Sequence, residues 1–126
     1  MPKIQVFGLE DSQPTRAALR FFRERRIVPT FVDLRKRPIA PGELRRFVDR
    51  LGAAAMVDVE SRAYREGGAD VTTDTGGLAE WIRSDPRVLR LPLVRLGDDV
   101  TAGRDEATWS TWLVRPPRGL PEGRRG

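Results

Sequence analysis

The chain contains no cysteine and no histidine among its 126 residues. The first absence excludes disulfides, thiolate nucleophiles and every thiol-based redox cycle. The second removes the side chain that most often serves as a general base near neutral pH. Lysine is almost missing as well: Lys3 and Lys36 stand against 21 arginines. No run approaches the ~20 apolar residues that a membrane-spanning helix needs, so no membrane association is expected. Met1-Pro2-Lys3 leads straight into a strand-like pattern, with no secretory signal in view, and a cytoplasmic location is the expectation.

An apolar fraction of 39% and a charged fraction of 33% fit one globular domain with a real core. The net charge of +5 is unevenly placed. Residues 115–126 hold four arginines against one glutamate, while the remainder carries 19 basic and 17 acidic residues. That terminal stretch also contains three prolines and three glycines and reads as a disordered tail outside the fold. Its arginines offer a weak nucleic-acid contact through counterion release. No charged helix face interleaved with aromatic residues accompanies them, which leaves a stand-alone DNA binder the least supported class.

Lys3 to Phe7 reads as a strand with Ile4 and Val6 on one face, and Thr15 to Arg26 as a helix built on Ala18, Leu19, Phe21 and Phe22. Ser12 stands where an N-cap belongs, with Pro14 in the first turn. Val28 to Leu34 reads as a second strand. Leu44, Phe47, Val48 and Leu51 make an amphipathic helical stripe that Gly52 ends. One or two short helices follow between Ala53 and Arg65, then another from Leu78 to Ser84. Leu91 to Leu96 and Asp99 to Thr101 read as a hairpin around Gly97-Asp98. Asp105 caps a last helix carrying Trp109, Trp112 and Leu113. The order is β-α-β, a helical insert of about 45 residues (40–86), then β-β-α. This is an α/β fold, a thioredoxin-like sandwich with a four-stranded mixed sheet over residues 1–114.

The residues between the first strand and helix, Gly8 to Thr15, carry a resemblance together with Val32-Asp33-Leu34-Arg35-Lys36-Arg37-Pro38, Pro41-Gly42-Glu43-Leu44, Leu91-Pro92-Leu93-Val94 and Gly103-Arg104-Asp105-Glu106. In this order the chain resembles the arsenate reductase ArsC / Spx / YffB group over about residues 3–114. The resemblance implies that Ser12 stands at the reactive cysteine's position and Thr15 at the second motif position. It also implies a cis Leu91–Pro92 bond facing the loop. The group's oxyanion-binding arginines align with Leu91, with Asp58 or Glu60, and with Arg104. Arg62 stands near the second of these, and Arg16 matches a basic residue that often follows the motif. Gly8, Ser12, Thr15, Arg16, Pro92 and Arg104 are therefore the groove or ligand-binding candidates, with no catalytic residue and no metal ligand expected.

A serine hydroxyl is barely ionised at neutral pH and acts as a nucleophile only beside a base, and Glu10-Asp11 opposes an anion at this loop. The expected function is a non-catalytic protein-interaction or regulatory module. The Spx branch implies RNA polymerase as the partner. The alternative is an enzyme or binder of a thiol ligand such as glutathione through the Ser12 hydroxyl, as glutathione transferases use a hydroxyl in this groove. No other cofactor is expected.

Overall fold

The structure, a computed structural model, describes residues 3–67, 77, 81–82 and 85–114. The tail 115–126 and most of the expected Leu78–Ser84 helix lie outside the described residues. The elements are β1 (Ile4–Gly8), α1 (Gln13–Glu24), β2 (Thr30–Asp33), α2 (Pro41–Leu51), α3 (Ala53–Met56), α4 (Arg62–Gly67), a 3-10 turn (Pro86–Val88), β3 (Leu93–Leu96), β4 (Asp99–Ala102) and α5 (Glu106–Val114). The sheet order is β2-β1-β3-β4. β1 pairs with β2 in parallel and with β3 antiparallel, and β3 pairs with β4 antiparallel. This is the four-stranded mixed sheet of a thioredoxin-like fold.

Alternation along the strands feeds two cores. Ile4 and Val6 of β1, with Val94 and Leu96 of β3, pack against α1 and α5. Phe7, Leu9 and Leu93 turn to the opposite face, where α2 and the insert cover them. Phe7 meets Phe47 of α2 edge to face at 5.7 Å, a favoured aromatic arrangement. At the hairpin end of the sheet Arg95 binds three elements together. Its guanidinium pairs with Glu43 of α2 and donates to Gly97 O (2.8 Å) and Gln5 Oε1 (2.7 Å).

Several boundaries differ from the sequence reading: β1 runs on to Gly8, α1 starts at Gln13, β2 ends at Asp33 and β3 starts at Leu93, and two further differences have a local cause. α1 stops at Glu24 because Arg26 adopts φ +65°, and Ile27 N–H then closes the helix on Phe22 O at 2.9 Å. β2 begins at Thr30, not at Val28, because pairing with β1 starts at Gln5↔Thr30. Val28 precedes that register and is exposed. The Gly97-Asp98 turn and the cis Leu91–Pro92 bond are both present, with Gly97 at φ +62°.

Asp85 and Arg87 form a two-bond fork (2.9 and 3.0 Å) beside the 3-10 turn, and Asp85 Oδ1 also accepts from the Arg87 N–H at 3.1 Å. The Arg87 side-chain hydrogen bond, above all, holds the Asp85 carboxyl below its usual value of 3.8. A carboxylate whose pKa falls on folding adds stability that is complete above its unfolded value and disappears as the pH drops through the folded one. The Tm advantage of the native chain over Asp85→Asn is therefore expected to be complete well above pH 3.8 and to shrink steadily as the pH falls below it. Thermal melts across pH 2.5–6 check this, and an advantage that grows on acidification contradicts it.

Candidate functional site

A groove of about 470 Å³ opens beside the N-terminus of α1. It lies beyond the carboxyl end of β1, the place where parallel strands and helix N-termini leave room for a ligand. The β1–α1 loop supplies Leu9, Asp11, Ser12 and Pro14, and the insert supplies Asp58. Arg87, Leu89, Arg90 and Leu91 come from the stretch ahead of β3, and Gly103 and Arg104 from the turn after β4.

The insert reaches this groove through a short antiparallel clamp. Val57 and Leu89 form an isolated β-bridge. Asp58 N–H donates to Val88 O (2.7 Å) and Arg90 N–H to Met56 O (2.8 Å). Val57, Val88 and Leu89 are buried, so the clamp is anchored and its polar neighbours are presented at the wall. Asp58 uses Oδ1 to accept from Glu60 N–H at 3.1 Å, which turns the chain into α4.

Ser12 lines the groove and is the N-cap of α1. Its Oγ accepts from Thr15 N–H at 3.2 Å, satisfying one of the open donors of the first turn. Ser12→Ala is expected to cost about 1 kcal/mol of stability through the lost cap, read as a shifted urea midpoint. An unchanged midpoint would show that this hydrogen bond contributes nothing.

The six candidates from the sequence divide by position. Ser12 and Arg104 line the groove. Thr15 is fully buried behind Gly8 and accepts from Leu9 N–H at 3.4 Å, so it shapes the loop from below. Gly8 shares that corner. Pro92 is buried, and its carbonyl accepts from Gly103 N–H at 2.9 Å, which places the Arg104 turn. Arg16 reaches back to Glu10 O at 3.1 Å, outside the lining residues. Arg62 pairs with Glu66 at 2.9 Å on the surface of α4 and does not stand in for a groove arginine.

Sequence reasoning missed Arg87 and Arg90. Alignment on the proline singled out Leu91 and passed over its neighbour Arg90, whose backbone the clamp to Met56 holds at the wall. The nearby signal was Pro86-Arg87-Val88-Leu89-Arg90, two arginines set into an apolar stretch just ahead of the Leu91–Pro92 step. The groove therefore holds three arginines and two aspartates. Arg87 is engaged by Asp85, Arg104 by Glu106 (2.9 Å) and Asp11 by Arg35 (3.4 Å). Among the described residues no group of histidine, cysteine or carboxylate side chains is placed to hold a metal ion.

No family model and no curated protein matches the chain. Solved structures do. The YFFB protein superposes with a TM-score of 0.75 at 18% identity, covering 86% of this chain and 97% of its own. An arsenate reductase from Vibrio cholerae gives 0.69 at 17%, with coverages of 85% and 94%. A putative arsenate reductase from Yersinia pestis gives 0.71 at 16%, with 86% and 99%. These likenesses show the fold: the thioredoxin-like sandwich with its helical insert, in a chain without cysteine.

Proposed function

We propose that this chain is a divergent relative of the arsenate reductase-like proteins that has exchanged thiol chemistry for binding, and that it works as a protein-interaction module through the groove beside Ser12. The observation that carries the reading is the role of Ser12 itself. The residue at the reactive cysteine's position spends an oxygen lone pair on the Thr15 N–H, a helix cap's work, in a chain with no thiol to replace it. Around it the groove combines apolar and charged lining residues, the composition of a small recognition site. RNA polymerase, which the resemblance to the Spx branch implies, is the first partner to test in isolation.

The absence of native cysteine makes a direct test available. Ser12→Cys and Asp98→Cys each create a unique thiol, the first in the groove and the second at the exposed hairpin turn at the other end of β3. Each is coupled to a small photoreactive group and illuminated in lysate. The expected result is one protein crosslinked from position 12 and not from position 98, suppressed by excess unlabelled native chain. Equal labelling from both positions would sink the reading.

A second reading rests on the Ser12 hydroxyl proton, which remains free to donate into the groove while the oxygen accepts. A glutathione thiolate held there would make a thiol-ligand binder or transferase. Calorimetry with glutathione separates the two, since this reading requires an affinity that weakens in Ser12→Ala.

A further inference from the structure

The groove's charges are not equally available. Arg87 is closed in a fork with Asp85, and Arg104 is held by Glu106 through Nε (3.0 Å) and Nη2 (2.9 Å). Arg90 is exposed, and among the described residues its guanidinium has no hydrogen-bond or ion-pair partner. Its backbone is fixed by the bond to Met56 O, and its stem runs past Gly103, where an added Cβ would lie 3.8 and 3.9 Å from Arg90 Cβ and Cδ. One guanidinium with open donors therefore shares the groove with the lining leucines Leu9, Leu89 and Leu91. Asp11 and Asp58 occupy the same groove.

We infer that this groove takes the carboxyl terminus of a partner polypeptide whose last residue is apolar, with its carboxylate on Arg90. The inference rests on the groove being the contact surface and names what it contacts. A planar carboxylate accepts two parallel N–H bonds from one guanidinium. A tetrahedral dianion needs more positive charge than one open arginine provides, and the two aspartates repel it. The groove's volume of about 470 Å³ is that of a site for a drug-sized ligand, well beyond a lone oxyanion. A chain end sets its carboxylate one Cα from the last side chain, which matches a cation flanked in sequence by two leucines. A glutamate side chain holds its charge on a flexible stem whose ordering costs entropy.

The test is fluorescence anisotropy on the purified full chain with three labelled hexapeptides. One ends in valine-leucine as the free acid, one is its carboxamide, and one is a carboxamide with glutamate at the fourth position. The free acid is expected to bind at least tenfold tighter than either carboxamide. Arg90→Gln is expected to bring it to the carboxamide's level and leave the carboxamides unchanged. Arg62→Gln, on the surface of α4 and outside the groove's lining, changes binding less than threefold. Equal binding of acid and carboxamide, stronger binding of the glutamate peptide, insensitivity to Arg90→Gln, or displacement by inorganic phosphate at concentrations where acetate has no effect would each overturn the inference. A negative result here leaves the crosslinking from position 12 standing. Equal crosslinking from positions 12 and 98 removes the contact surface itself.

Discussion

Replacing Trp109 by alanine is expected to lower the unfolding free energy by about 3–5 kcal/mol, the range for emptying a buried tryptophan site. Trp109 is the largest fully buried side chain and is wholly excluded from solvent. Its ring lies 5.5 Å from Phe21 and 5.3 Å from Phe22. Its Nε1–H donates to Thr101 Oγ1 at 2.8 Å. The residue therefore ties α5 to α1 through its rings and to β4 through its one polar atom. Alanine leaves a cavity between two helices and a sheet, and an almost buried Thr101 hydroxyl with no partner.

The two losses can be separated. Trp109→Phe fills part of the cavity and still orphans Thr101, whose desolvation costs about 1–3 kcal/mol. Adding Thr101→Val removes the orphaned group, so the double variant is expected to be more stable than Trp109→Phe alone. Urea titrations followed by far-ultraviolet circular dichroism measure all three. With a total stability of about 5–15 kcal/mol for a domain, Trp109→Ala is expected to leave a negligible share of the chain unfolded at best and about half of it unfolded at worst. A loss below about 1 kcal/mol would mean that α5 is not docked through this residue.

What could be read from the sequence was local or periodic. The α2 stripe of Leu44, Phe47, Val48 and Leu51, the Gly97-Asp98 turn, the Ser12 and Asp105 caps and the β-α-β order each depend on neighbours within a few residues, and each has its counterpart in the structure. The composition of the groove depends on a different kind of contact. Arg90 reaches it because residues 56–58 and 88–90 pair across the insert, and nothing in the local pattern of either segment announces that pairing. Position-by-position alignment with the resembled group therefore found Leu91, Asp58 or Glu60, and Arg104 at the places of the oxyanion-binding arginines. The folded chain brings Arg87 and Arg90 to the same wall.

The same distinction applies to Thr15. The resemblance, which sets it at the second motif position, made it a groove candidate, yet the first turn of α1 directs it inward beneath Gly8. The loop's shape thus rests in part on a buried contact between a strand end and a helix start. A redox-silent groove with its walls intact follows naturally from this construction, because the cap, the Gly8–Thr15 contact and the Pro92–Gly103 bond hold the loop without any contribution from a thiol.

That contact sets up a double-mutant cycle with a large expected coupling. A Cβ placed on Gly8 would fall 2.7 Å from Thr15 Cγ2 and 3.1 Å from Thr15 Cβ, and closer still to Oγ1. Real Cβ atoms do not sit at such distances from a fully buried side chain on a packed helix, so Gly8→Ala must push β1 and α1 apart. The expected cost is about 3 kcal/mol, at the upper end of overpacking in a dense core. Thr15→Ala alone deletes the offending atoms along with the acceptor for Leu9 N–H, at an expected cost of about 1–2 kcal/mol. If the two substitutions acted independently, the double variant would lose about 4–5 kcal/mol. With Oγ1 and Cγ2 gone only the 3.1 Å approach to the Cβ of residue 15 remains, which a shift of a few tenths of an ångström relieves, so the expected loss is only about 2 kcal/mol, a coupling of about 2–3 kcal/mol. Thr15→Ser, which keeps the hydroxyl, is expected to rescue Gly8→Ala much less. Additive costs within about 0.5 kcal/mol would show that Gly8 is not required by Thr15. Strong coupling would show that the corner presenting Ser12 to the groove is held by packing.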